Sequence, residues 1–367
     1  KGGGILENLA DSLTRSGTIG LDMITQNLNF LTALTGEAPN GTIVIPDSMN
    51  LKARVELKGP EYKANLHLKQ GQGSMGVNAE LNTSTEAYAA DLKIDNLQLH
   101  NFLPKDSIYE LSLSADAKGR GLDVMSYRAL AKLNLSLDQL HYARYQLSNV
   151  HLTGALKGAL VTANLTSDNA LLKMTTDAEY NLAHRYPDGK VTVDVTQLDL
   201  HELGLMPQPM KRPLAFNLSA EARQNRVFTH LTSGDMKLNL SARSGVNSLI
   251  SQSTHFMDVL MKQIDEKALN HAELREALPT AILSFSAGKE NPLAYFLATK
   301  NISYHDVSMK FGTAPDWGIN GKAAVHALKM DTLQLDTIFF TVKQDTTLMK
   351  LRAGVINGPK NPQFSFA

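Results

Sequence analysis

Gly71-Gln72-Gly73-Ser74-Met75-Gly76 has the G-x-G-x-x-G spacing that can fold backbone amides around a pyrophosphate when a helix begins directly after it. Val77, Ala79 and Leu81 alternate with polar residues there instead, so the glycines are expected to supply the positive φ of a hairpin turn. The eleven histidines (His67, His100, His141, His151, His184, His201, His230, His255, His271, His305 and His326) include no pair at i, i+2 or i, i+4, and local spacing builds no metal site. Asp265 and Glu266 are adjacent on a predicted helix and diverge around it, which gives a solvated face, not an acid–base pair. Triplets of Asn-Leu-Ser or Asn-Leu-Thr begin at Asn134, Asn164, Asn217 and Asn239. Their polar members flank an inward Leu, so they read as strand surface and not as glycan acceptors.

The sequence contains no P-loop, H-E-x-x-H, G-x-S-x-G or EF-hand pattern. With no Cys, it has no thiol catalysis, iron–sulfur cluster, Cys-ligated zinc or disulfide. The 36 Lys and Arg balance 36 Asp and Glu, which leaves no electrostatic footprint for a nucleic acid. An enzyme is therefore not expected, nor a cofactor, and attention passes to the apolar surface and the elements that carry it.

Alternation at period two runs through most of the 367 residues, the signal of strands with one buried face. It is clear at Leu51/Ala53/Val55/Leu57, Ala64/Leu66/Leu68, Val77/Ala79/Leu81, Leu111/Leu113/Ala115/Ala117 and Leu133/Leu135/Leu137. It returns at Val161/Ala163/Leu165, Val191/Val193/Val195, Leu214/Phe216/Leu218/Ala220/Ala222 and Leu238/Leu240. Turn residues divide the runs at Lys58-Gly59-Pro60, Gln70 to Gly73, Lys118 to Gly121 and Pro187-Asp188-Gly189, which predicts a long antiparallel meander.

Two helices are expected within it. Val246, Leu249, Ile250, Ser253, Met257, Leu260 and Ile264 follow the spacing of one helix face. Leu21, Ile24, Leu28 and Leu31 suggest another over Ser16 to Thr35, capped at Gly36. Shorter helical turns are expected at Ala272 to Ala277 and Pro292 to Thr299, with strands resuming at Ala281. The organisation expected is a helical segment 1–41, a repeated strand unit 42–242, a helical insertion 243–300 and a further strand repeat 301–367 that stops mid-pattern at Phe364-Ser365-Phe366-Ala367. No apolar stretch reaches the ~18–20 residues that cross a bilayer, and Lys1-Gly2-Gly3-Gly4 lacks signal-peptide layout, so the chain reads as an internal piece of a longer polypeptide.

One motif recurs. Leu92-Lys93-Ile94-Asp95-Asn96-Leu97-Gln98-Leu99-His100 reappears from Leu328 to Asp336 and, more loosely, from Val193 to His201. In each copy the alternation skips a register, between Ile94 and Leu97, Met330 and Leu333, or Val195 and Leu198, which predicts a β-bulge or a strand-to-strand kink. His100 and His201 occupy equivalent positions, but Asp336 stands there in the remaining copy, so a structural turn is expected.

These residues resemble a known family. The bulged repeat, Tyr145-Gln146-Leu147-Ser148-Asn149-Val150-His151-Leu152-Thr153-Gly154, the segment Leu165 to Leu172, Asn291-Pro292-Leu293-Ala294-Tyr295-Phe296-Leu297 and the late strings Leu333 to Thr337 and Val342 to Asp345 look like the TamB translocation and assembly module proteins of the AsmA-like superfamily, Bacteroidetes type. The resemblance runs from about Thr42 onward. It implies a long curled antiparallel sheet, a β-taco or gutter with an apolar groove, in a periplasmic protein anchored in the inner membrane through a segment outside this chain. Its implied work is phospholipid transport to the outer membrane, or assembly of outer-membrane proteins with a β-barrel partner.

Aromatics form only 6% of the chain, and medium aliphatics dominate the inward positions. They can be the protein's own core or can shield acyl chains from water, at ~25 cal/mol per Å² of apolar surface removed. The positions expected to line such a groove are Leu51, Val55, Leu57, Leu66, Leu68, Val77, Leu81, Leu113, Leu133, Leu135, Leu165, Val193, Leu218 and Leu240. The alternative is a sheet edge that binds client or partner strands by β-augmentation, with a repeat-built adhesin behind it. The two predicted helices, by plugging or capping a groove, would interrupt a continuous conduit.

Overall fold

The computed structural model describes residues 1–8, 10–11, 13–26, 44–206, 209 and 212–361. Strands hold 59% of the chain and helices 11%, so the helices are additions to a sheet. Among the described residues twenty-two strands form one long antiparallel sheet that is not closed into a barrel.

The chain divides into two compact units, Lys1–Asp177 and Ala178–Ala367. The first carries β1 (Gly2–Glu7), β2 (Ser16–Ile24), β3 (Asn50–Lys58), β4 (Glu61–Gln70), β5 (Gly73–Asn82) and β6 (Ala87–Gln98). It continues with β7 (Ile108–Arg120), β8 (Leu130–Tyr142), β9 (Tyr145–Leu147), β10 (Val150–Lys157) and β11 (Leu160–Asp168). The boundary falls within β12 (Leu172–Asn181).

The second unit carries β13 (Gly189–Leu198), β14 (Leu214–Arg223), β15 (Arg226–Ser233) and β16 (Met236–Ala242). Next come the helices α1 (Val246–Asp265) and α2 (His271–Glu276), then β17 (Ala281–Ala287) and α3 (Pro292–Ala298). β18 (Ile302–Ser303), β19 (Asp306–Ala314), β20 (Gly318–Met330), β21 (Leu333–Gln344) and β22 (Met349–Ile356) complete it. Among the described residues no helix is long and apolar enough to cross a membrane.

Pairing follows chain order. Within the first unit β2 to β8 pair successively, and β9 and β10 both pair with β8 as two halves of one strand broken at Asn149, which has φ 52°. β18 and β19 repeat this arrangement against β20. Gly71, at φ +60°, lies between β4 and β5, so the G-x-G-x-x-G string is a hairpin turn as expected.

Two of the three register skips are bulges, at Ile94/Leu97 in β6 and Val195/Leu198 in β13. Asn96 takes φ 48° there; its amide donates to Ser112 Oγ at 2.9 Å, which supplies the partner that the ladder loses. The third skip is the hairpin turn Asp331-Thr332, with Met330 opposite Leu333.

Several expectations are corrected. The helix expected over Ser16 to Thr35 is the strand β2 over Ser16–Ile24, so the segment 1–41 is not helical where it is described; Leu28, Leu31 and Gly36 lie outside the described residues. The physical reason is that Gly17, Ile19, Leu21 and Met23 also satisfy period two, and nine paired residues of β3 outweigh an accidental helical spacing. The 243–300 insertion is helical except for β17, which pairs with both β16 and β19 and belongs to the sheet. Lys118 to Arg120 are the end of β7, not a turn. The expected 42–242 unit is divided between the two compact units, and Phe364 to Ala367 lie outside the described residues.

Candidate functional site

The registers align side chains of the first unit into rows across one face. One row is Met23, Leu51, Leu68, Met75, Ile94, Leu113, Leu137 and Val150. The next is Leu21, Ala53, Leu66, Val77, Leu92, Ala115, Leu135, Leu152 and Leu165. A third is Ile19, Val55, Ala64, Ala79, Ala90, Ala117, Leu133, Gly154 and Ala163, and the fourth runs through Leu57, Tyr62, Leu81, Tyr88, Gly119, Ala131, Leu156 and Val161. These rows hold no carboxylate, imidazole or amine. The polar members of the same strands stand on the other face, where Lys63 and Glu80 meet at 2.9 Å.

The rows differ in depth. The first is sealed: Leu68, Ile94, Leu97 and Met49 form a buried cluster, against which Ile45, Leu99 and Phe102 pack from outside the strands. Thr25 fixes that cover by donating its hydroxyl to Pro46 O at 2.6 Å and its amide to Met49 O at 2.9 Å. The third row is open, with Ile19, Val55 and Leu133 50%, 43% and 37% exposed. Between them the methyl groups of Ala64, Ala79, Ala90 and Ala117 make a shallow floor across four strands. The flanking rows lie ~7 Å to either side, two residues along each strand, which leaves the width of an extended hydrocarbon chain.

The second unit has aligned apolar rows of its own. Val193, Leu218, Leu231, Leu238, Phe285, Met309, Ala323, Phe340 and Ala353 form one row there. Val191, Ala220, Thr229, Leu240, Leu283, Phe311, Gly321, Val342 and Leu351 form its neighbour. A Cβ on Gly321 would collide with the ring of Phe311, so the glycine gives that ring its place. The N-terminal half of α1 stands over this second row.

The fourteen positions expected to line a groove lie in apolar rows, eleven in the first unit and three in the second. Leu51, Leu68 and Leu113 are in the first row, Leu66, Val77, Leu135 and Leu165 in the second, Val55 and Leu133 in the third, and Leu57 and Leu81 in the fourth. Val193 and Leu218 are paired in the second unit, and Leu240 stands in the adjacent row. Leu68 belongs to packed core, with Leu51, Leu66 and Leu113 against it. Sequence reasoning placed Ala64, Ala79, Ala117 and Phe216 in alternating runs without naming them as lining residues, and it passed over Ala90 and the phenylalanines at 285, 311 and 340, which the same alternation carries.

Titratable clusters lie elsewhere. Asp306 accepts from Nδ1 of His305 at 2.8 Å and of His326 at 2.7 Å, and these bonds hold its pKa below the usual carboxylate value. Desolvation pushes Asp188 upward, but hydrogen bonds from Arg223 and His184 outweigh it and the net shift is downward. Desolvation likewise opposes, and donation from Glu290 N, Asn291 Nδ2 and Gly288 N overcomes, at Asp235 in the β15–β16 turn. Among the described residues no three His, Asp or Glu gather as metal ligands. Comparison with protein-family models, curated proteins and solved structures gave no match for this chain.

Proposed function

We propose that this chain is a non-enzymatic part of a TamB-like, AsmA-like periplasmic protein, whose apolar face carries phospholipid acyl chains between the inner and outer membranes. The observation that carries the reading is the open third row of the first unit: half-exposed Ile19, Val55 and Leu133 around a floor of alanines, walled by Leu and Tyr rows. An ordinary core would fill such a row with large side chains, because close packing supplies much of a core's stability. A hydrocarbon chain laid there leaves water at ~25 cal/mol per Å² and needs no energy source to stay.

A second reading is supported by an edge. Among the described residues β1 pairs on one side only, with β2, and its Ile5 and Leu6 are 70% and 50% exposed. Such an edge suits a client strand or an outer-membrane β-barrel partner joined by β-augmentation.

Lipid extraction and native mass spectrometry of the purified chain test the first reading. Phospholipid is expected to co-purify, and to be reduced in Leu135→Asp while circular dichroism still reports the sheet. Lipid undiminished in a folded Leu135→Asp, or a wild-type protein free of lipid, would overturn it. Cross-links that capture protein along β1 instead would favour the edge.

A further inference from the structure

Between α1 and the sheet of the second unit lies a cavity of about 530 Å³. Its floor is Leu240, Leu283 and Phe311, abreast in one row, and its roof is Leu249, Ile250 and Ser253 of α1. Pro279 closes one end, held by the hydroxyl of Thr313 at 2.6 Å. The helix stands off the floor because it is fastened elsewhere. Phe256, Val259 and Leu260 pack on Leu274 and Ala277 around α2, and Gln263 bonds Asn270 and Glu273. The carbonyl of His271 in turn receives Gln344 Nε2 of β21 at 2.6 Å.

No charged side chain lines the cavity, so its ligand must be apolar there. An apolar cavity of ~150 Å³ accepts one six-carbon ring, which scales to about twenty carbons for this one. The shape of the ligand follows from α1. Ile250, Met257, Met261 and Ile264 are 60%, 50%, 50% and 57% exposed and lie along one line of the helix, about 21 Å long, that leads away from the cavity mouth. Met side chains adapt to a flexible partner. Of the nearby charges, Lys262 points around the helix away from that line, and Asp258 and Asp265 border it on one side.

We propose that this cavity is a seat for one long fatty-acyl chain, separate from the alanine-floored row of the first unit. The proposal rests on the lipid reading above and gives it a discrete stopping place under α1.

Titration of the full chain with a linear fluorescent fatty acid tests it, beside Leu283→Trp, Thr254→Trp and Leu135→Asp. Thr254 lines the same cavity from the exposed side of the roof, so its substitution fills the space without disturbing the sheet. Two saturable sites are expected: the one under α1, weakened at least ~10-fold by either Trp, the loss of a place for ~2 methylenes, and the one on the first unit, removed by Leu135→Asp. Both sites at wild-type affinity in either folded Trp variant overturns the seat, as does a wild type with no site that survives Leu135→Asp. Binding lost in Leu135→Asp but kept in both Trp variants also overturns it, and places the chain in the first unit in accord with the function proposed above.

Discussion

Asp235→Asn isolates the hydrogen bonds that tie the approach to α3 onto the β15–β16 turn. Asp235 Oδ1 accepts from Gly288 N at 3.2 Å and from Asn291 Nδ2 at 2.7 Å, and Oδ2 accepts from Glu290 N at 3.0 Å. Asn291, only 1% exposed, also caps α3 by accepting from Ala294 N at 2.9 Å. The amide that replaces Oδ2 would face the Glu290 amide donor to donor, and the charge is lost from the remaining bonds.

A bond to an ionised group contributes about 1.5–3 kcal/mol, and the exposure of the turn, with the surviving bond from Asn291 Nδ2 to Gly288 O at 2.8 Å, reduces the set to about 2 kcal/mol. Local opening therefore becomes about 30-fold more frequent. Hydrogen exchange at the amides of Gly288, Glu290 and Ala294 reads it directly, corrected for intrinsic rates. The pH dependence has a definite sign. A carboxylate whose folded pKa is lowered stabilises fully above its unfolded value and loses that contribution as pH falls through the folded one, here below about pH 4. The wild type shows that step and Asp235→Asn does not. Equal protection in both proteins at neutral pH would refute the reasoning.

Two further predictions separate the sealed row from the rest. Leu68→Ala, within the buried cluster, is expected to cost about 3 kcal/mol in the first unit by denaturant-dependent hydrogen exchange, whereas Leu133→Ala, 37% exposed, costs less than ~1 kcal/mol; equal costs would mean that the open row is core. Gly73→Val would set a Cβ 2.6 Å from Asn96 O and 2.7 Å from Leu97 Cα, so it should displace the bulge, expose the Asn96 amide to exchange and cost about 2 kcal/mol.

The apolar face was legible because strand periodicity is two: within an unbulged run such as Leu51 to Leu57, parity assigns alternate side chains to one face, and burying the apolar set fixes which face that is. The helix α1 was legible for the corresponding reason at period 3.6. Depth was not legible. Leu68 and Leu133 have the same alternation, and only the segment carrying Ile45 and Met49, folded over one end, makes one core and the other surface. Ser16–Ile24 shows the limit of a single period, since nine residues with Gly17, Ile19 and Leu21 satisfy both templates and the choice rests with the partner strand. The repeat near Leu328 failed differently. Its skip matches the others in sequence, but Asp331, at φ 49°, turns the chain back instead of bulging it.

The hairpin connections of the sheet bear on how such a chain is made. Ladders such as β3–β4 and β4–β5 join immediate sequence neighbours across turns of two residues, so each closure sacrifices little chain entropy. A polypeptide delivered gradually through a translocation pore can add each strand to a finished edge as it emerges, without waiting for distant segments. The same arithmetic makes the sheet a molecular ruler: duplicating one hairpin lengthens the apolar surface by about 9.6 Å and leaves the pairings of the other strands as they are.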